Sequence, residues 1–332
     1  MNGILNVLKP PSMTSFDIVG FLRRLLKIKK IGHTGTLDPG AVGVLPVCIG
    51  NATKAIEFMM EKDKLYRAEL TLGIETDTQD SSGVVIRTSD VSVTDEEIIS
   101  AVNSFRGKIK QVPPMYSALK VDGRKLYDLA REGITIERKP REIEIHSINV
   151  LNISRCPVNR AETEDAIDIA GLHTRVLFDV SCSKGTYIRT LCADIGSSLG
   201  CGGHMSFLLR MRAGSFDISS ALTVEEIRDL AEKGRLYEKL SSVDAVFEHL
   251  NKLVLDEVNE KKFLNGMFIK IGNRKCEAAL ENSGTDFKAR EDKNAIEGDI
   301  LRVYNTSGVF IALGEYVPYQ GELLFKSKKL FL

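Results

Sequence analysis

Two ionisable side chains, His33 and Asp38, lie in a stretch that otherwise holds only small, apolar and hydroxyl residues, GHTGTLDPGAVGVLP at 32–46. Glycines permit positive φ and a close approach of a flat ligand. Pro39 disfavours a helical backbone at Asp38 and so presents its carboxylate from an extended segment. The pattern predicts a stiff, glycine-walled loop with a reactive acid in a pocket. The alternative is a surface turn, since Asp-Pro-Gly is common in turns.

Further motifs of this kind lie on both sides of that stretch. In chain order they are Lys9-Pro10 with Met13-Thr14-Ser15, DKLYR at 63–67, PMYSALK at 114–120, CSKGTYIRT at 182–190 and GCGGH at 200–204. Together with the 32–46 stretch, they resemble the motifs of the TruB family of tRNA pseudouridine synthases, in the family's order. Pro11-Ser12 departs from the pattern, because the family usually has one linking residue and a glycine there. The shape of the first loop is therefore open.

The resemblance implies a reaction in which uracil is detached from C1′ of the ribose, turned and reattached through carbon. This chemistry needs no metal and no cofactor. The resemblance assigns the catalytic carboxylate to Asp38, acting either as a covalent nucleophile or as a stabiliser of the sugar. A buried carboxylate needs a fixed cation to stay ionised, and the family's arginine corresponds to Arg189. A surface arginine on a helix is the alternative for Arg189.

Three apolar or aromatic residues correspond to the family's contacts with the target base. Flipping a base out of its stack costs a few kcal/mol, and an aromatic face offsets about 1–3 kcal/mol per base. The resemblance places Tyr66 against the base, as a catalytic residue that also takes the C5 proton. It makes Tyr187 a neighbour of the acid and its arginine, and Leu208 an apolar wall of the pocket. Core packing is the alternative for all three.

Two further residues correspond to contacts with the RNA. The family's counterpart of His33 stabilises the RNA loop from which the base is extruded, so we expect a stacking role and not an acid–base one. Lys9 is expected to contact a phosphate or a loop of the RNA.

Capping and periodicity predict the elements that must position these residues. Ile4–Leu8 is predicted to be a strand, and Tyr66–Leu72 alternates apolar and polar residues as a half-buried strand does. Thr14, Thr94 and Thr223 each stand three residues before an acid, in the pattern of a capping box. Further predicted elements are a short helix at 51–60, a helix-like piece at 126–131, strands at 143–153 and 167–181 joined by a polar loop at 155–165, and a helix at 186–199. Strands and helices without regular alternation predict an α+β fold, with a mixed or antiparallel sheet and flanking helices.

Composition sets broad limits on the class of protein. The 332 residues are 43% hydrophobic, which suits about two globular domains. No apolar run approaches the ~18 residues of a membrane span, and Ile4–Leu8 is too short for a secretory signal. We therefore expect a cytoplasmic protein with no membrane partner. Six cysteines never form C-x-x-C, so buried, reduced thiols are expected and a metal site is not.

Charge is segregated along the chain although its formal net value is +0. Lys and Arg outnumber Asp and Glu in 1–67 and in 105–141, whereas acids collect in 75–97. Such a chain can carry a basic face for a phosphate backbone, although solvated helix faces would give the same pattern. The resemblance makes the segment from about 115 to 141 an insertion that grips the T arm of tRNA. It also implies a stand-alone enzyme without guide RNA, and we expect a monomer.

The pattern changes to short β-like runs after about Val246: 268–271, 300–304 and 309–313, with turns at Gly298 and Gly308. This tail resembles a PUA domain, a small β-rich RNA-binding module. We therefore expect a pseudouridine synthase catalytic domain at 1–245 and a PUA-like domain at 250–332.

Three functions are compatible with these sequence features. The first is a tRNA pseudouridine synthase that acts on uridine 55 in the TΨC arm. The second is an RNA-binding or tRNA-folding factor in which catalysis is secondary, and the Asp38–Tyr66–Arg189 set argues against lost catalysis. The third is a hydrolase that uses Asp38 on a small molecule, which the basic regions and the PUA-like tail disfavour.

Overall fold

Seven α-helices and seventeen strands form the described part of a computed structural model, which covers residues 1–117, 119–121, 123–157, 172–271 and 295–332. The helices are α1 (Ser15–Leu26), α2 (Ile56–Met60), α3 (Asp95–Ser104), α4 (Leu126–Arg131), α5 (Ile188–Ser198), α6 (Val224–Glu232) and α7 (Glu257–Leu264). The strands are β1 (Gly3–Lys9), β2 (Ile31–His33), β3 (Val42–Ile49), β4 (Lys64–Leu72), β5 (Ile74–Thr76), β6 (Val85–Thr88), β7 (Gly107–Gln111), β8 (Lys120–Val121), β9 (Arg124–Lys125), β10 (Arg141–Pro157), β11 (Leu172–Cys182), β12 (Gly203–Ala213), β13 (Phe216–Asp217), β14 (Lys252–Val254), β15 (Ile300–Tyr304), β16 (Phe310–Tyr319) and β17 (Glu322–Leu330).

A nine-stranded sheet carries most of the candidate site. Its order is β1-β3-β12-β4-β11-β10-β7, with β2 paired to β3 and β13 paired to β12. The pairs are antiparallel except β3 with β12, which run parallel over a short register at Val42 and Gly43. β4 and β12, which carry Tyr66 and Leu208, are therefore neighbours in the middle of the sheet. The predicted α+β class, with a mixed sheet and flanking helices, is confirmed.

Capped amphipathic helices cover this sheet. The Thr14 hydroxyl accepts a hydrogen bond from the Asp17 amide at 3.0 Å, and the Asp17 carboxylate accepts one from the Thr14 amide at 2.8 Å. This predicted capping box starts α1, and those at Thr94 and Thr223 start α3 and α6. α1 and α6 bury their apolar faces on β1 and β3, whereas α3 and α5 pack on β4, β10 and β11.

The glycine-walled loop spans only 34–41, because Gly32 and His33 lie in β2 and the neighbouring apolar run enters β3 at Val42. Val42–Ile49 is a strand, and every residue in it after Val42 is buried. A strand buried on both faces has a continuous apolar run without alternation. The alternation that identifies a half-buried strand is therefore absent from this sequence. Gly43 has φ 115°, and a Cβ there would lie 2.2 Å from the Arg210 carbonyl oxygen. The glycine therefore allows β3 and β12 to pair.

The helix predicted from Thr186 begins two residues later, at Ile188. Gly185 turns the chain with φ 80°, and Tyr187 keeps an extended backbone as the residue before the helix. Several strands, among them β7, β12 and β17, were not predicted from the sequence. The end of the polar loop predicted at 155–165 and the start of the strand predicted at 167–181 lie outside the described residues.

The tail forms a second sheet of four strands, in the order β14-β15-β16-β17. The runs predicted at 300–304 and 309–313 lie in β15 and β16, whereas 268–271 contributes only a single bridge, from Ile269 to Phe325. Leu313 and Phe331 of this part pack in one apolar cluster with Ile4 and Val44 of the first sheet. The domain boundaries stay a prediction.

Within the described residues, no helix is long and apolar enough to cross a membrane.

Candidate active site

An ion pair between Asp38 and Arg189 forms the centre of the candidate site. Nε of Arg189 lies 3.0 Å from a carboxylate oxygen of Asp38, across 151 residues of sequence. The Arg189 side chain is 6% exposed and that of Asp38 is 39% exposed. The arrangement therefore buries the cation and leaves one side of the carboxylate open to a ligand.

Arg189 is held by backbone carbonyls as well as by carboxylates. One terminal nitrogen donates to the Tyr116 carbonyl at 2.8 Å and the other to the Thr78 carbonyl at 3.1 Å. The second of these nitrogens also lies 3.5 Å from the Asp80 carboxylate. A planar guanidinium in the first turn of α5 is thus fixed in direction before it meets Asp38, a geometry that lysine would not reproduce.

The electrostatic balance at Asp38 raises the pKa of its carboxyl above the usual value. Burial is the largest cause, and the nearby Asp80 carboxylate acts in the same direction. Arg189 and Lys9 oppose the shift. The ionised form of Asp38 therefore depends on its two cations.

The segment that carries Asp38 is tied to the first loop at several points. Lys9 is 0% exposed, and its ammonium donates to the carbonyls of Met13 at 2.6 Å, Pro10 at 2.9 Å and Pro39 at 3.2 Å. Burial lowers the pKa of Lys9 to about 8. In addition, the Ser12 amide donates to the Pro39 carbonyl at 3.0 Å. An RNA contact for Lys9 stays a prediction, because its ammonium protons are directed at the protein's own carbonyls.

Tyr66 and Leu208 lie side by side on neighbouring strands of the sheet. Leu208 is in register with Ala68, and Tyr66 is in register with Arg210. Tyr66 is 8% exposed and Leu208 is 7% exposed. Burial raises the pKa of the Tyr66 hydroxyl, whereas the charge of Arg210 lowers it.

Tyr187 is fixed by Gln111, a side chain that was not predicted from the sequence to belong to the site. The Gln111 side-chain nitrogen donates to the Tyr187 carbonyl at 3.1 Å, and its oxygen accepts from the Tyr187 amide at 2.8 Å. Gln111 is 2% exposed, at the end of β7. Both backbone groups of Tyr187 are therefore held just before α5 carries Arg189 into the site.

His33 ends β2 and is half-buried. Its Nδ1 accepts a hydrogen bond from the Gly35 amide at 3.4 Å. Burial lowers the pKa of the imidazole, and the Arg210 cation lowers it further. These surroundings favour the neutral form of the imidazole.

The structure joins Asp38, Arg189 and Lys9 by contact or charge, and it joins Tyr66 to the same group through Asp38 and Arg210. Three further members, Asp80, Gln111 and Arg210, were missed from the sequence. Asp80 lies in the acidic stretch 75–97, and the neighbouring sequence TDTQD was a signal that could have been read. Gln111 and Arg210 carry no comparable local signal, because only strand pairing brings them to the site.

The described cysteines are thiols and not disulfides. Cys48, Cys182, Cys192 and Cys201 are free and buried. Burial raises the pKa of the Cys48 thiol to about 12. Across the part of the chain that the structure covers, no group of three His, Cys, Asp or Glu side chains could hold a metal ion.

Comparison with known proteins places this geometry in a family. Residues 23–188 match the model of the TruB family pseudouridylate synthase N-terminal domain, and residues 189–255 match that of the tRNA pseudouridylate synthase B C-terminal domain. The chain is 49% identical to a tRNA pseudouridine synthase B from Alkaliphilus oremlandii, over 80% of this chain and 82% of the relative. It is 42% identical to one from Clostridium kluyveri over 100% of both.

Solved structures show the same fold. A chain in the structure of an H/ACA RNP bound to a substrate RNA containing 2′-deoxyuridine aligns with a TM-score of 0.67 at 24% identity, over 99% of this chain and 85% of that one. A chain in a Cbf5-Nop10-Gar1 complex aligns with a TM-score of 0.66 at 25% identity, over 99% and 85%. Together with the two family models and the full-length relatives, these likenesses establish that the chain belongs to the TruB family of pseudouridylate synthases.

Proposed function

We propose that this chain is a tRNA pseudouridine synthase that isomerises uridine 55 in the T arm to pseudouridine, with Asp38 as the catalytic carboxylate. The relatives at 49% and 42% identity are named tRNA pseudouridine synthase B. The observation that carries the assignment to Asp38 is its ion pair with the buried Arg189, at 3.0 Å.

Asp38 would act at C1′ of the target nucleotide. To do so it must be ionised, and its raised pKa means that the site relies on the charge of Arg189 to keep it so. Asp38 also remains partly open to the outside, as a group that meets the ribose must be. Arg189 thus supplies the charge, and its bonds to the Thr78 and Tyr116 carbonyls fix the direction of that charge.

Tyr66 and Leu208 would hold the flipped base beside this pair. A flipped base must be unstacked at a cost of a few kcal/mol, and stacking on an aromatic face returns about 1–3 kcal/mol of it. The Asp38 charge raises the pKa of the Tyr66 hydroxyl, so we propose that a base stacked on the Tyr66 ring would lie near the carboxylate. We further propose that Tyr66 takes the C5 proton in its ionised, tyrosinate form, which the charge of Arg210 favours and burial opposes.

Tyr187 and His33 would contact the RNA around the base. Tyr187 ends the segment that leads into α5, with its backbone held by Gln111. His33 is kept neutral by burial and by Arg210, which suits a stacking contact.

The grip on the T arm is proposed to come from two regions outside the site. One is the basic segment at about 115–141, in which Arg131, Lys139 and Arg141 are exposed. The other is the second sheet, which we propose to be a PUA-like RNA-binding domain at 250–332 beside a catalytic domain at 1–245. We propose a monomer that needs no cofactor. We also propose that it needs no guide RNA, because the full-length relative is named as a tRNA enzyme, whereas the chain from the RNP is only 24% identical.

The test is the Asp38→Asn variant. It keeps the size of the side chain and removes its charge, so pseudouridine formation at position 55 should be lost while the affinity for a T-arm hairpin stays unchanged. Position-specific mapping of pseudouridine in tRNA and a binding titration measure the two. Asp90→Asn, a change of the same charge on an exposed loop, is the matched control. Full turnover by the Asp38→Asn protein would remove Asp38 from the chemistry, whereas a wild-type protein that binds the hairpin but forms no pseudouridine would favour the RNA-folding role.

A further inference from the structure

Arg210 is a buried cation that has no part in the reaction proposed for Asp38 and Tyr66. It is the largest fully buried side chain described, at 1% exposed. Its Nε donates to the Val44 carbonyl at 2.7 Å, and a terminal nitrogen donates to the Gly35 carbonyl at 3.2 Å. Within the described ranges, no carboxylate forms an ion pair with it. Burying an unpaired charge is costly, so packing alone does not explain an arginine here.

The position of Arg210 in β12 links two parts of the site. It stands directly opposite Tyr66 of β4 in the antiparallel register, and residues in such pairs point to the same face with Cβ atoms about 4.5–5.5 Å apart. The charge of its guanidinium acts on the Tyr66 hydroxyl and lowers the pKa of that group. The two carbonyls that it binds, Gly35 and Val44, flank Asp38 on either side in the chain. One side chain therefore ties the tyrosine to both ends of the Asp38 segment.

Arg210 acts on the pKa of the Tyr66 hydroxyl in the opposite direction to the other groups around it. Cys182 from β11 and Asp38 from its loop both raise the pKa of that hydroxyl, in addition to burial. Arg210, which stands opposite Tyr66 in β12, lowers it through its charge. Lys64, two residues before Tyr66 on the same strand, points its ammonium at the Met60 and Lys62 carbonyls, the first at 2.7 Å. Of these groups, Arg210 is thus the cation whose charge favours the ionised form of the hydroxyl.

We propose that Arg210 is a positioning residue, which fixes the Tyr66 hydroxyl relative to the Asp38 segment and surrounds it with positive charge. This inference rests on the proposed function, and it adds a residue through which that function acts. Because Arg210 works through Tyr66, its loss should matter little once the tyrosine hydroxyl is gone.

A double-mutant cycle tests this dependence. Single-turnover rates on a T-arm hairpin are measured for the wild type, Arg210→Gln, Tyr66→Phe and the double variant. Arg210→Gln should slow the bound-state step by about 10²-fold, the size expected for a displacement of about 1 Å, with unchanged affinity. In the Tyr66→Phe background the same change should cost little more. Losses that multiply fully in the double variant would overturn the proposal, because they would show a general structural role.

A second measurement needs no RNA and so separates this inference from the proposed function. A fluorinated tyrosine of low intrinsic pKa is placed at position 66, and its titration is followed by fluorine NMR. Replacing Arg210 with Gln should raise the pKa of residue 66, and Arg210→Lys, which keeps the charge but not the planar fork, should raise it less. The same label at position 187 is the control.

An unchanged pKa at position 66 in both variants would overturn the inference, even if the enzyme is active. Conversely, a wild-type protein that forms no pseudouridine would refute the proposed function. The titration would still show whether Arg210 acts on the side chain at position 66. If Arg210→Gln does not fold, as judged by circular dichroism, Arg210→Lys carries both measurements with the same expected direction.

Discussion

The candidate active site and the basic segment at 124–141 both carry cations, but they hold them in different ways. In the site, Lys9, Arg189 and Arg210 are buried, and each donates to backbone carbonyls that lie far away in sequence. In the segment, Arg131 and Lys139 are exposed to solvent. The first kind of charge is fixed in direction, whereas the second faces solvent, although Arg131 also lies over the Tyr127 ring.

This difference separates the cations that take part in the reaction from those that bind the RNA. A fixed cation stabilises one carboxylate or one hydroxyl at one place, so its geometry matters as much as its charge. An exposed cation acts through charge alone, because water and salt screen it and its side chain adjusts. Replacing arginine by lysine should therefore be damaging in the site and nearly silent in the segment.

The largest effect is expected for that replacement at Arg189. Lysine cannot keep the contacts with Asp38, Thr78 and Tyr116 together, so Arg189→Lys should lower the single-turnover rate by about 10²-fold. Arg131→Lys, the same chemical change in the basic segment, should leave the rate unaltered. Rapid-quench assays at saturating hairpin measure both. Equal rates for the two variants would remove the distinction between fixed and free charges.

Neutralising the segment should weaken binding and not chemistry. Replacing Arg124, Arg131 and Lys139 by Gln should make the dependence of log affinity on log salt shallower, by about 0.7–0.9 for each lost phosphate contact. The rate at saturating RNA should not change. Titrations at several salt concentrations measure the slope, and a second triple variant at the exposed Lys233, Arg235 and Lys239 controls for net charge. Identical slopes in the first variant and the wild type would make the segment a solvated face.

A smaller effect is expected in the pH dependence. Asp80 raises the pKa of Asp38, so Asp80→Asn should lower it, and Asp38 should then stay ionised to lower pH. The acid limb of the rate–pH profile should therefore move to lower pH, provided that Asp38 acts as a carboxylate. Asp90→Asn, at an exposed position, should leave the profile in place. A shift to higher pH would contradict the described electrostatics.

The smallest effect concerns the first loop. Ser12 has φ 65°, a left-handed backbone that costs a non-glycine residue about 1 kcal/mol. Ser12→Gly should raise the free energy of unfolding by up to about that amount, less the added freedom of glycine in the unfolded chain. Denaturant titration measures it. Ser92→Gly, at an exposed position without positive φ, should instead lower stability.

The sequence predicted what depends on neighbours along the chain. The capping boxes at Thr14, Thr94 and Thr223 and the alternation of Tyr66–Leu72 are local patterns, and the structure confirms them. The departure at Pro11-Ser12 also has a local outcome, since Ser12 adopts the left-handed turn that glycine would take with ease.

The rest of the site depends on pairing between distant strands. β12 was missed because it carries polar and apolar residues in an order broken by two bulges against β4. Arg210 reaches Tyr66 only through that pairing, and Gln111 reaches Tyr187 only because β7 ends beside it. Asp80 was counted only among the acids that collect in 75–97, although a short turn brings it to Arg189. Contacts between residues that are distant in sequence leave no periodicity or fixed spacing in a single sequence.

The insertion of β12 between β3 and β4 has a consequence for the order of folding on the ribosome. β3, which carries Val44, and β4, which carries Tyr66, leave the ribosome long before β12, the strand that pairs with both β3 and β4. With about 170 residues between Asp38 and Arg210 and synthesis at about 5–20 residues per second, the interval is roughly 10–30 s. During that time the nascent chain contains the acid but not the guanidinium that orders its segment. Competence for catalysis is therefore expected to appear late and in one step, when β12 joins the sheet, and pulse-chase synthesis with timed release would show it.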